Sequence, residues 1–301
     1  MDPIYGRIAA NKRRTFFLFF LYAVLFAGIG YFVGIYLGDP FVGIILAALV
    51  FAVLFLISFF SGQKVVTSMA GAREVSKQQE PFLYNTVDAL SIAAGKPMPK
   101  VYIVETEVPN AFAAGRNPEN AIIAVTRGLM NRLNRQELEG VIAHEMAHIH
   151  NYDVLLATVA IVLAGTIVFV SVIARRMIFF GGMRRSGRKG GQGQLIAIAA
   201  LIILAILAPI FAQLLKFAIS RQREYLADAT AADFTGYPEG LASALEKITD
   251  QQVKNSPIDN SALNGLYIIN PALGARSQNR GSVLFSTHPP TEDRVKRLRA
   301  M

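Results

Sequence analysis

Cysteine is absent from all 301 residues, so neither a disulfide nor a thiolate metal site is available. Any metal must be held by imidazole and carboxylate, and the lack of thiols suits the cytoplasm. Charge is scarce as well. Asp, Glu, Lys and Arg make up 17% of the chain against 53% hydrophobic residues, and mean hydropathy is +0.39. A water-soluble chain devotes about a quarter of its residues to charge, so the deficit points to lipid. The net charge of +9 suits nucleic acid or an anionic leaflet. The apolar runs favour the leaflet, and nucleic acid is not an expected partner.

Those runs organise the chain. Residues 15–37 and 41–60 carry no charge and are each long enough to cross a bilayer as a helix. Only Gly38-Asp39-Pro40 separates them, which predicts a tight antiparallel hairpin. The first run is too long for a signal peptide, lacks a small-x-small cleavage site and is followed at once by the second, so it reads as an anchor. Arg7, Lys12, Arg13 and Arg14 precede the pair, and Lys64, Arg73 and Lys77 follow it. The positive-inside rule then puts the N-terminus and everything after residue 60 in the cytoplasm. Two further runs, 154–174 and 195–219, flank a glycine-rich connector, 175–194, with six basic residues: Arg175, Arg176, Arg184, Arg185, Arg188 and Lys189. Two arrangements stay open for this second pair: spanning despite that charge, or packing as a hairpin on the cytoplasmic side. The four runs carry essentially no ionisable residue, Lys216 near the end of the last being the charged exception, which disfavours a metal transporter.

Between and after the runs the pattern is globular. Helices are expected over 80–94, stopped by Gly95-Lys96-Pro97, over 135–151, over 220–234 and 238–252, and briefly from Pro290. Residues 101–104 and 121–126 read as strands, with 110–115 a weaker third, and 255–286 is rich in loop residues. The expected division is 1–60 (membrane hairpin), 61–153 (first part of a catalytic domain), 154–219 (second apolar hairpin) and 220–301 (second part).

Three of the four histidines fall within Gly140–Asp153, GVIAHEMAHIHNYD. His144-Glu145-Met146-Ala147-His148 fits H-E-x-x-H. Positions four apart share a helix face, so both imidazoles can address one ion. Glu145 is turned by about 100° and can reach a water on that ion without binding it. Zinc suits these ligands, keeps a position open when the protein gives three, and lowers the pKa of its water to about 7. His150 points elsewhere and is set aside. A third ligand must come from another segment. Glu224 and Asp228, four apart on a helix, are candidates, one to bind the ion and the other to orient a ligand histidine. The alternative is an ordinary solvated face.

The ordered set PNAFAAG (109–115), HEMAH (144–148), SRQREYLADA (220–229) and THPPTEDRVKRL (287–298), behind an apolar hairpin, resembles the HtpX group of membrane zinc metalloproteases. That group belongs to peptidase family M48 and is related to the CAAX-prenyl endopeptidase Ste24. The resemblance implies a mainly α-helical integral membrane protein with a zincin-like α+β catalytic domain carrying a small β-sheet. It implies His144, His148 and Glu224 as ligands of one Zn(2+) per chain, Glu145 as general base, and a membrane hairpin between the two metal-binding helices. His288 and Arg294 are candidate donors to a tetrahedral oxyanion; otherwise His288 is a surface residue and Arg294 pairs with an acid. Asn110, Ala111 and Phe112 are expected on an exposed edge strand that pairs with extended substrate, or on an ordinary edge. The implied activity is hydrolysis of misfolded or damaged membrane proteins at the cytoplasmic face of the cell membrane, a quality-control role. Rival readings are processing of prenylated or other specific peptides, and zinc transport or sensing. No motif specifies an oligomeric state.

Overall fold

The N-terminal apolar hairpin turns at Gly38, which takes a left-handed φ of 94°, and at Asp39, whose carboxylate accepts the Phe41 N–H at 2.8 Å. Pro40 follows at the first helical position, where its missing N–H costs nothing. These residues start helix α1, Pro40–Met69. The structure is a computed structural model that describes residues 38–162, 221–250 and 289–301, together with helical residues between 13 and 35. Phe19 packs edge-on to Phe55 at 4.5 Å, and Phe26 lies 5.9 Å from Phe51. Near the turn the two backbones nearly touch, because a Cβ on Gly43 would collide with the Gly30 carbonyl and the Gly34 backbone.

Helix α1 does not end at residue 60, where the uncharged run stops; it continues for nine residues to Met69. Thirty residues at 1.5 Å each give about 45 Å, more than the roughly 30 Å of a hydrocarbon core. The surplus has a use. Phe41, Ile45, Leu49 and Val53 are between 55% and 76% exposed, as lipid-facing residues would be. From Ser58 the stripe Ser58, Gly62, Val66 is buried, one residue per turn. Among the described residues α1 is the one helix long and apolar enough to cross a membrane.

Gly62 on that stripe faces Thr158 and Val162, and Val66 packs on a four-stranded sheet of order β1-β2-β4-β3, built from β1 Ala72–Glu74, β2 Lys100–Val104, β3 Ala111–Gly115 and β4 Ala121–Thr126. β2 and β4 run parallel, and β1 and β3 pair antiparallel on the outside. β1 is too short to show a pattern in the sequence. Both faces of the sheet are covered. Phe112, Ala114, Ile122 and Ala124 pack with Val66, Ile161 and Val162. Ala111, Ala113, Ile123 and Val125 join the larger core of α2 (Pro81–Ala94) and α4 (Arg135–His150). The Gly115 N–H donates to Thr158 Oγ1 at 2.8 Å, so helical residues 154–162 are tied to the end of β3. Burial on both sides explains why β4 reads as an unbroken apolar run rather than an alternating one.

A short helix, α3 (Arg127–Arg132), follows β4 and is capped by the Thr126 hydroxyl; the sequence reading missed it. Asn134 and Glu137 then form a capping box that starts α4. Glu137 also accepts from Ser243 at 2.7 Å and Lys247 at 2.8 Å on α6 (Pro238–Asp250). The two helices can approach because Gly140 and Gly240 lie at the crossing: a Cβ on Gly140 would sit 2.6 Å from the Leu241 nitrogen. Helices α5 (Arg221–Thr235) and α7 (Thr291–Leu298) complete the group around α4. Expectations for residues 163–219, including the basic connector, and for 255–286 lie outside the described residues.

Candidate metal centre

Helix α4 presents His144 and His148 one turn apart, with ring centroids 4.8 Å from each other and planes at 83°. Helix α5 brings Glu224 between them. Its Oε2 is 3.6 Å from His144 Nε2, and its Oε1 is 3.6 Å from His148 Nε2. Nitrogen and oxygen ligands of a tetrahedral zinc, each 2.0–2.2 Å from the ion, lie about 3.3–3.6 Å apart. One ligand atom from each of the three residues falls within 4.8 Å of the others. The donor set is two imidazoles and a carboxylate, with no thiolate, and it fits a divalent ion of borderline softness.

His144 is 1% exposed, and its Nδ1 lies 3.0 Å from Asp228 Oδ1. With the proton on Nδ1 donated to Asp228, the Nε2 lone pair faces Glu224 and the space between the ligands. Burial opposes charge on this ring, yet hydrogen bonding to Asp228 and Glu224 lifts its pKa to about 9. The pocket therefore prefers a cation, which a metal ion can supply in place of the proton.

Asp228 is held in turn by Arg294, which is 1% exposed. Nε donates to Oδ2 at 2.9 Å and Nη2 to Oδ1 at 2.6 Å, a bidentate fork. Burial pushes the Asp228 carboxyl up, but the Arg294 charge and the His144 hydrogen bond bring it down to about 2. Two of the three guanidinium nitrogens are thus committed to Asp228, and Nη1 lies 4.0 Å from Glu224 Oε2. Arg294 thus pairs with an acid beside the first ligand histidine.

His148 has the same kind of support from a residue that sequence reasoning did not single out. Its Nδ1 is 3.3 Å from Asp153 Oδ2, and Asp153 Oδ1 is 3.9 Å from Arg223 Nη1. The available signal was an aspartate and an arginine placed directly against apolar runs, where charge is costly unless paired. His150 stays apart from the cluster, with Nδ1 3.2 Å from the Ala94 carbonyl oxygen at the end of α2. Glu145 is buried on α4 beside His144, and its charge acts on Arg294.

Asn110, Ala111 and Phe112 do lie at the sheet edge, but they are 2%, 0% and 3% exposed. β3 is the edge strand of the sheet, and its two faces are packed on opposite cores. His288 lies outside the described residues.

The profile of Peptidase family M48 matches residues 77–301. Relatives named Protease HtpX homolog align along almost the whole chain. The one from Dictyoglomus turgidum is 46% identical, covering 99% of this chain and 94% of its own. That from Streptococcus gordonii is 44% identical, covering 99% and 100%. Among solved structures, Ste24p of S. mikatae superposes with a TM-score of 0.46 at 17% identity, covering 93% of this chain and 61% of its own. The matched stretch contains every residue of the cluster just described, and the chain belongs to peptidase family M48.

Proposed function

We propose that the chain is a membrane-anchored zinc endopeptidase that cuts misfolded or damaged membrane proteins at the cytoplasmic face. The observation that carries this reading is the convergence of His144, His148 and Glu224 from two helices, with an acid immediately beside the first ligand. Membership of a peptidase family and the protease names of the relatives support the reaction class.

His144 Nε2, His148 Nε2 and the Glu224 carboxylate would hold one zinc ion, which when bound supplies Lewis acidity and an acidified water. The remaining work belongs to the protein. Glu145, buried beside His144, accepts a proton from the attacking water and returns it to the departing amine, the work of a general base and then a general acid. Asp228 fixes the tautomer of His144, and Arg294 fixes Asp228. The exposed apolar length of α1 supports the anchor, and the basic residues flanking the first hairpin support a cytoplasmic site. In this reading residues 1–60 and 154–219 form two membrane hairpins, α1 extends past the first of them, and 61–153 and 220–301 together make the catalytic domain.

The test uses full-length protein in detergent with casein as substrate. Glu145→Gln is expected to keep its zinc and lose cleavage by about 100-fold or more. Cleavage at the wild-type rate by that variant removes Glu145 from the reaction.

A further inference from the structure

Asp153 has no part in the chemistry above, yet it is buried to 5% exposure at the junction of α4 and helical residues 154–162. Helix α4 closes there with a Schellman turn: the Tyr152 N–H bonds the Ile149 carbonyl at 3.2 Å, and the Asp153 N–H bonds the His148 carbonyl at 3.0 Å. The residue in the left-handed position is Tyr152, with φ 60°, where glycine would be the least strained choice. Such strain persists only where the surrounding structure fixes it. Its product is a grip on one ligand from two sides. Asp153 holds the backbone carbonyl of His148 through its N–H, and its carboxylate lies 3.3 Å from the Nδ1 of the same ring.

The arrangement repeats what surrounds the other histidine. There a carboxylate meets Nδ1 at 3.0 Å and an arginine meets the carboxylate. Here Asp153 meets Nδ1, and Arg223 Nη1 stands 3.9 Å from the other carboxylate oxygen. Arg223 is 8% exposed and directly precedes Glu224, so the third ligand and the arginine share one turn of α5. Both imidazoles are thus turned by their Nδ1 atoms, and both Nε2 atoms face Glu224.

We infer that Asp153 is a positioning residue for His148. It accepts the Nδ1 proton, sets the ring plane and leaves the Nε2 lone pair for the metal, while Arg223 supplies its counter-charge. The inference rests on the zinc reading, and the experiment separates the two. In full-length protein in detergent, zinc affinity is measured by competition with a chelator, beside kcat and KM at saturating zinc. Asp153→Ala is expected to weaken zinc binding 10–100-fold, the range found when a metal ligand loses its orienting partner. kcat should fall while KM stays within twofold. Asp153→Asn keeps the size and one acceptor oxygen but not the charge, and should weaken zinc several-fold. A merely structural role would lower the metal-free melting temperature and leave zinc affinity as in the wild type; that result overturns the inference. If Asp153→Ala does not fold, Asp153→Asn decides: several-fold weaker zinc supports the inference, and wild-type affinity overturns it. His148→Ala is the control for the underlying reading. Should it retain zinc, the zinc site itself is wrong; should it lose zinc while the Asp153 variants keep it, only the role of Asp153 fails.

Discussion

Asp228→Ala probes how the buried charges hold one another. Asp228 and Arg294 are 2% and 1% exposed, and two hydrogen bonds of 2.9 and 2.6 Å join them. A third contact, 3.0 Å, comes from His144 Nδ1. Removing the carboxylate leaves the guanidinium in the interior with Glu224 4.0 Å from its Nη1. Stranding one partner of a buried pair costs about 3–5 kcal/mol. At about 2–4 °C per kcal/mol for a domain of this size, the metal-free protein should melt about 6–20 °C lower. Removing both charges, with Asp228→Leu and Arg294→Met together, should cost less than the single change, because no unpaired charge remains. The assay is a thermal scan in detergent at one fixed rate, since membrane proteins commonly unfold irreversibly. A double variant less stable than Asp228→Ala would refute the reasoning. Zinc affinity should fall 10–100-fold in Asp228→Ala as well, because the His144 tautomer loses its anchor.

Gly140→Val should destabilise by about 1–3 kcal/mol, because the new Cβ meets the Leu241 backbone at 2.6 and 2.9 Å and a backbone cannot rotate away. Denaturation should show it, and wild-type stability would mean α4 and α6 separate freely. The metal-free protein should also show a pH signature of His144. Its pKa is raised from 6.5 to about 9, so its stabilising effect is complete below pH 6.5 and is lost as pH rises through 9. The melting-temperature advantage of wild type over His144→Gln should therefore shrink between those values, and a constant advantage would contradict the assignment.

The metal-binding pattern was legible because it is written in helical spacing. His144 and His148 lie four apart, as do Glu224 and Asp228, and each pair needs only its own helix to be recognised. The family motifs then joined the two helices across a long insertion. Other features depend on tertiary structure. Asp153 reaches His148 only because Tyr152 adopts a left-handed conformation, and no glycine marks that turn in the sequence. Helix α1 outlasts its apolar run because Val66 packs on the sheet and Gly62 faces Thr158 and Val162, and Lys64 lies off that stripe. The burial of β3 is likewise a tertiary matter. Being at a sheet edge is a matter of strand order, whereas exposure depends on which helices cover the two faces.

The most direct test is zinc stoichiometry in full-length protein purified in detergent, measured for wild type, Glu145→Gln and Glu224→Ala, with peptide cleavage followed in the same samples. The account predicts one zinc per chain with cleavage in wild type, one zinc without cleavage in Glu145→Gln, and neither in Glu224→Ala. Stoichiometric, tightly held zinc in Glu224→Ala would contradict it, because the carboxylate from α5 would then not complete the site.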